Sequence, residues 1–290
     1  MTSMDSTNPI RRHKPIQRSI TMAITPTPPL GTALITGAST GIGALYAERL
    51  ARRGYNLILV ARNREKLNAL AARITDETRR EVEVLVADLN DRASLATVEA
   101  KLREDASITL LVNNAGVGTH TPLLESDVDN MTRMVDLNVT ALTRLTYAAV
   151  PGFVARGQGS IINIASIVAV APEILNGVYG ASKAYVLALS QSLHHELKDQ
   201  GVRVQAVLPG ATATDFWAIG GLPVEHLDQN IVMPAAAMVD AALVGFDQGE
   251  LITIPSLHAL DTWQAYESAR QSMMGQLSRN APAPRYATAG

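Results

Sequence analysis

The sequence predicts a three-layer α/β fold, a doubly wound parallel sheet of about seven strands flanked by helices on both faces. Three observations lead there. Short apolar, β-rich runs alternate with longer helical stretches from Thr32 onward. The runs are apolar throughout rather than alternating, which is how strands covered on both faces read. A Gly-rich turn, Thr36-Gly37-Ala38-Ser39-Thr40-Gly41-Ile42-Gly43, joins the first run to the first helix.

The elements follow in order. Ala33–Thr36 reads as the first strand and about Gly43 to Arg53 as the first helix. Asn56–Ala61 (NLILVA) and Val82–Ala87 (VEVLVA) are the next two strands, with helices Arg64–Glu77 and Asp91–Arg103 after them. Thr109–Asn113 (TLLVN) is the fourth strand, followed by a helix from about Met131 to Ala155. Ser160–Ala165 (SIINIA) precedes a long helix, Tyr179–Gln200, and Val202–Leu208 (VRVQAVL) is the sixth strand. Leu251–Ile254 supplies a seventh, and a last helix is expected over Ala259–Leu277. No repeat or clean linker interrupts the pattern, so residues 30–290 read as one domain.

Residues 1–29 differ. They are rich in Pro and Thr, carry Arg11, Arg12, His13, Lys14 and Arg18, and hold one acid, Asp5. They read as a disordered extension, or as an over-early start with Met22 the true one. A transit peptide is the competing reading, against which the scattered prolines weigh.

Apolar residues make up 47% of the 290 and charged residues 18%, ample for a buried core. The formal net charge is −2, without the basic excess of a nucleic-acid or membrane-surface binder. No segment reaches the roughly 18–20 apolar residues needed to span a bilayer. The absence of cysteine excludes disulfides, iron–sulfur clusters and Cys-ligated zinc, and suits a reducing, cytoplasmic setting. His194-His195-Glu196 lacks zinc-binding spacing, so no metal is expected, and Arg49, Arg52 and Arg53 read as a solvated helix face.

The chemistry gathers in a few motifs. Gly37, Gly41 and Gly43 let backbone approach a pyrophosphate, which the free N–H groups of a helix N-terminus attract. Their spacing, G-x-x-x-G-x-G, is found in ordinary tight turns too; its place between a strand and a helix is what favours a nucleotide. Asn113-Asn114-Ala115-Gly116 ends strand four, and Tyr179 and Lys183, four apart, share one face of the long helix. A phenol is a weak base at neutral pH, and a neighbouring ammonium is expected to lower its pKa.

Taken together, these motifs resemble the short-chain dehydrogenase/reductase family over about Thr32 to Thr214. The resemblance implies a Rossmann-type fold and an NADP(H)-dependent oxidoreductase that interconverts a ketone or aldehyde and an alcohol by hydride transfer. It implies Tyr179 as acid/base, Lys183 beside the nicotinamide ribose, and Ser166, thirteen residues before Tyr179, orienting the substrate oxygen. Asn138, in Asp136-Leu137-Asn138-Val139, matches the asparagine that kinks a helix and holds a relay water, a position a buried structural Asn would also fill. Cofactor contacts are implied for Gly37, Ser39, Thr40, Gly41, Ile42, Gly43, Asp88, Leu89, Asn114, Ala115, Gly116, Pro209, Gly210, Thr212 and Thr214.

Cofactor choice is read after strand two. NAD-specific relatives carry an acid where this chain has Ala61, and Arg62 follows, a partner for the 2′-phosphate of NADP(H). NAD(H) is thus the less expected cofactor, although Thr40 stands where many NADP-preferring relatives carry a second basic residue. Phe216, Trp217, Ile219 and Leu222, with Val168 and Ile174, suggest an apolar substrate wall, although such residues equally form plain core. The family resemblance also implies a homodimer or homotetramer. Two other classes stay open: a regulatory nucleotide-binding module, and a non-redox member of the same superfamily such as an epimerase or dehydratase.

Overall fold

In a computed structural model that describes residues 30–286, seven strands form one parallel sheet. The first three, β1 (Thr32–Thr36), β2 (Asn56–Ala61) and β3 (Val82–Val86), alternate with α1 (Gly41–Arg52), α2 (Arg64–Thr78) and α3 (Arg92–Glu104). Next come β4 (Ile108–Asn113), a helical stretch of α4 (Val128–Val135), a π turn (Asp136–Ala141) and α5 (Leu142–Arg156), then β5 (Gly159–Ile164). The chain continues through α6 (Gly177–Leu197), β6 (Val202–Val207), β7 (Thr212–Ala213) and α7 (Phe216–Ile219). It ends with β8 (Met233–Pro234), α8 (Ala235–Gln248), β9 (Ile252–Thr253) and α9 (Leu260–Ser272).

The sheet order is β3-β2-β1-β4-β5-β6-β9, so the direction of winding reverses between β1 and β4. In such sheets a crevice opens beyond the carboxyl ends of the strands at the reversal. Helices α1, α2 and α8 cover one face, through Tyr46, Leu50, Leu67, Ile74, Met238 and Phe246. Helices α3, α5 and α6 cover the other, through Val98, Leu102, Leu145, Phe153 and Leu193. Burial on both faces is why β1 and the centre of β2 carry no polar alternation.

Boundaries moved where a cap overrode the apolar pattern. The helix expected from Met131 begins at Val128, because the Asp127 carboxylate accepts from the Asn130 N–H at 2.9 Å. The expected seventh strand shrinks to Ile252–Thr253, and the last helix is divided near Met273. Helix α8 was not anticipated, although Met238, Val239, Ala242, Leu243 and Phe246 have helical spacing and line the core. The two-stranded sheet of β7 and β8 was also unforeseen.

Arg49, Arg52 and Arg53 are not simply solvated, which corrects the sequence reading. They pair with Asp240 (2.7 Å), Glu77 (2.9 Å) and Asp247 (2.8 Å), pinning α1 to α8 and α2. Exposed pairs of this kind contribute about 0–1 kcal/mol each. No helix among the described residues is long and apolar enough to cross a membrane. The expected disorder of residues 1–29 lies outside the described residues.

Candidate active site

The crevice at the winding reversal is built first by β1 and β4. Thr36 Oγ1 accepts from the N–H groups of Asn114 and Ala115, both at 3.0 Å, and donates to Val112 O at 3.3 Å. Asn114 Nδ2 donates back to Thr36 O (2.9 Å) and Gly37 O (3.2 Å). Asn114 therefore works as a clamp on the Gly-rich turn as well as a crevice residue.

That turn fits a nucleotide's pyrophosphate. Gly37 and Gly41 have φ of +64° and +56°, where a side chain is strained, and a Cβ on Gly37 would lie 2.9 Å from Ala115 Cα. A Cβ on Gly43 would collide with the Gly37 carbonyl, so that glycine lets α1 press against the turn. The Thr40 side chain makes no capping bond and no acid occupies the first turn of α1, leaving its N–H groups and positive end to an anion. The Ala38 N–H donates to Val60 O at 3.2 Å, fastening the turn to the end of β2 two residues before exposed Arg62.

From the turn a cleft of about 950 Å³ runs past β4, β5 and β6. Of the sequence-predicted residues it gathers Gly37, Thr40, Gly41, Ile42, Asn114, Ala115, Gly116, Ser166, Tyr179, Lys183, Pro209, Gly210, Thr212 and Thr214. All six residues of the expected apolar wall line it too, from Val168 and Ile174 to Leu222. Ser39, Gly43, Arg62, Asp88 and Leu89 lie outside its lining. Leu89 sends its side chain into the core, and the Asp88 carboxylate accepts from Asn90 N–H at 3.0 Å. Sequence reasoning missed His120, Asn230, Ser256 and His258, which come from loops with no local motif.

Tyr179 and Lys183 rise from the first turns of α6, whose N-terminus Asn176 caps by accepting from Val178 and Tyr179 N–H. Lys183 Nζ donates to Ile164 O at 2.9 Å and stands 5.9 Å from the Tyr179 ring centroid. Burial pulls the ammonium down from the usual lysine range to about 8. The same burial pushes the Tyr179 phenol up to about 12, with the neighbouring Ser166 hydroxyl acting in the opposite sense. Desolvation sets that direction; the lowering expected of the ammonium, helped by the positive charge of an oxidised nicotinamide, concerns the site with that cofactor bound. Ser166 lies two residues past β5 and caps the short helical turn that follows, its Oγ accepting from Val168 N–H at 3.4 Å.

Asn138 sits in the π turn, fully buried. Its Nδ2 donates to Val117 O (2.8 Å) and Ser182 Oγ (3.1 Å), and its Oδ1 accepts from Val117 N–H (3.0 Å). Both amide protons are committed to anchoring the loop after β4 and the face of α6. That gives the side chain the structural role left open by the sequence, at the irregular turn where a helix departs from regular geometry.

The short chain dehydrogenase family model matches residues 31–219. The chain belongs to that family. It is 51% identical to a short-chain dehydrogenase from Sphingobium yanoikuyae solved in complex with NADPH, which covers 89% of this chain and is itself covered completely, at a TM-score of 0.86. A "bulky-bulky ketone specific" alcohol dehydrogenase from Comamonas testosteroni is 47% identical, over 89% of this chain and 98% of that one, at a TM-score of 0.82. The very-long-chain 3-oxoacyl-CoA reductase of Anas platyrhynchos is 37% identical over 192 residues, 64% of this short-chain dehydrogenase. The chain spans 62% of that reductase, less than two thirds of its length.

Proposed function

We propose that this short-chain dehydrogenase is an NADP(H)-dependent oxidoreductase that interconverts a bulky, uncharged ketone and its secondary alcohol. The observation that carries the reading is the convergence of Ser166, Tyr179 and Lys183 on one cleft that begins at the Gly-rich turn. Gly37, Thr40, Gly41, Asn114 and Gly116 would hold a reduced nicotinamide cofactor, which when bound would supply the hydride for the carbonyl carbon. As the carbon is reduced, the carbonyl electron pair collects on oxygen, where the Ser166 hydroxyl donates a hydrogen bond. Tyr179 gives its proton to the same oxygen, completing the alcohol. A phenol held near 12 keeps that proton throughout neutral pH, which suits a donor. Lys183, cationic below about pH 8, stabilises the phenolate left behind.

The substrate class follows from what faces the cleft. Apart from Tyr179, Lys183 and two histidines, the one ionisable side chain lining it among the described residues is Asp215. Ile174, Leu175, Trp217, Ile219, Leu227 and Ile231 supply apolar surface there, beside the uncharged polar Asn230 and Ser256. Among the described residues no arginine lines the cleft to meet the phosphates of a coenzyme A thioester. The chemistry therefore favours a neutral ketone with two large substituents, as in the name of the Comamonas relative, over the 3-oxoacyl-CoA of the curated one.

Tyr179→Phe tests the mechanism. Turnover of an aryl ketone with NADPH should fall by about 10²–10⁴-fold, while NADPH affinity read by fluorescence stays within about threefold. Retention of more than about a tenth of the parent rate would refute the role given to Tyr179.

A further inference from the structure

Phe216 opens α7, just past Thr214, whose Cγ2 faces the open side of Gly41. Its ring packs on the Tyr179 ring, with centroids 5.7 Å apart and planes inclined by 45°. It is held from behind by Trp217, edge-on at 5.8 Å, whose indole N–H donates to Thr212 O at 2.9 Å. The seat beneath Phe216 is Gly118, in the loop that Asn138 anchors. A Cβ there would overlap Phe216 Cζ and come within 3.0 Å of Tyr179 Cε2. These rings join Met134, Val168 and Leu175 in a small apolar cluster separate from the main core.

Tyr179 is thus roofed by an aromatic ring that belongs to the covering segment. The substituent lying on that side of a ketone whose oxygen meets the Tyr179 hydroxyl shares its space with that ring. We infer that Phe216, seated on Gly118, sets the size limit for the substituent lying against Tyr179. Trp217, Ile219 and the residues beyond bound the remainder of the cleft. Phe216 is a specificity-determining residue; Gly118 is a positioning residue that acts only through it. The inference rests on the carbonyl-reductase reading and on Tyr179 as the group that meets the oxygen.

The experiment compares acetophenone, butyrophenone and benzophenone with NADPH in the full chain, in parent, Phe216→Ala and Phe216→Leu. Removing the ring should raise the ratio of kcat/KM for benzophenone over acetophenone by about tenfold or more, with Phe216→Leu between, as expected when a pocket gains several carbon volumes. A ratio of two rates on one preparation is indifferent to how much protein is folded, so lost stability cannot imitate the result. A ratio within about twofold of the parent in both variants overturns the inference and leaves the functional reading intact. A parent that consumes NADPH with none of the three overturns both.

Gly118→Ala supplies an independent arm read by thermal melting. It should lower the melting temperature, and the loss should shrink by about half or more in the Phe216→Ala background, because the two sites share one space. Equal losses in both backgrounds would show that Gly118 is not the seat of Phe216.

Discussion

Between Thr32 and Val207 each strand of the sheet runs five or six residues, whereas the three strands after Val207 have two residues each. Helices α1 and α6 bury five and nine residues; α9 buries none, and Leu257, Leu260, Tyr266, Met273, Met274 and Leu277 beside or within it are exposed. Tyr179, Lys183, Ser166 and the Gly-rich turn all stand on the first region. The covering residues, Phe216 to Ile231, stand on the second. Proton and hydride transfer require reacting atoms placed within fractions of an ångström, which only the packed scaffold provides. A substrate must enter and leave, so its cover is assembled from short, lightly fastened elements.

If the scaffold holds the chemistry, the largest effects belong there. Lys183→Met should cost about 100-fold or more in kcat. It should also raise the melting temperature, because a buried ammonium is replaced by an apolar chain. The sign with pH is fixed by the direction of the shift. Burial lowers the folded pKa from 10.5 to about 8, so the unfolded chain binds the proton more tightly. That penalty on the parent is complete below about pH 8 and is relieved as pH rises towards 10.5. The melting gain of the variant should therefore narrow over that window when measured by calorimetry. A gain that is absent at pH 7, or that widens upward, would contradict the burial of a charged Lys183.

Cofactor selection lies at the scaffold's edge and is expected to be smaller. Arg62→Ala should weaken NADPH use by about 10–100-fold, from a charge-assisted contact of roughly 1.5–3 kcal/mol, with NADH use nearly unchanged. Steady-state kcat/KM for both cofactors at fixed ionic strength decides it. Equal loss with both would show that Arg62 supports the fold.

The smallest expected difference is dynamic and sharpens the comparison directly. In hydrogen-exchange mass spectrometry, amides of residues 214–232 and of α9 should exchange well before those of β1, β4 and β5. Equal protection in both regions would mean that the cover is as firmly built as the scaffold.

The same division governs what could be read in advance. Strands β1, β2 and β4, the Gly-rich turn and the Tyr179–Lys183 face were legible because each is a local pattern: an apolar run, a glycine spacing, one turn of helix. The π turn at Asp136–Ala141 was foreshadowed only by the helix kink that the resemblance assigns to Asn138, since the apolar pattern on either side of it reads as one continuous helix. Helix α8 was overlooked despite helical spacing, in a stretch without motifs. The desolvation that raises the Tyr179 phenol could not be read in advance, because burial is a property of the assembled fold. The seat of Phe216 on Gly118 joins α7 to a loop far away in the chain, and no local signal marks Gly118 or its pairing with Phe216.

Reduction of uncharged, bulky ketones with NADPH is the activity proposed for this cleft. Initial rates of NADPH and NADH oxidation by the purified chain, measured in parallel with aryl ketones and a 3-oxoacyl-CoA, test it most directly. Turnover of the ketones, a preference for NADPH of about tenfold or more, and little activity on the thioester are expected. Preference for NADH, or activity confined to the thioester, would contradict it.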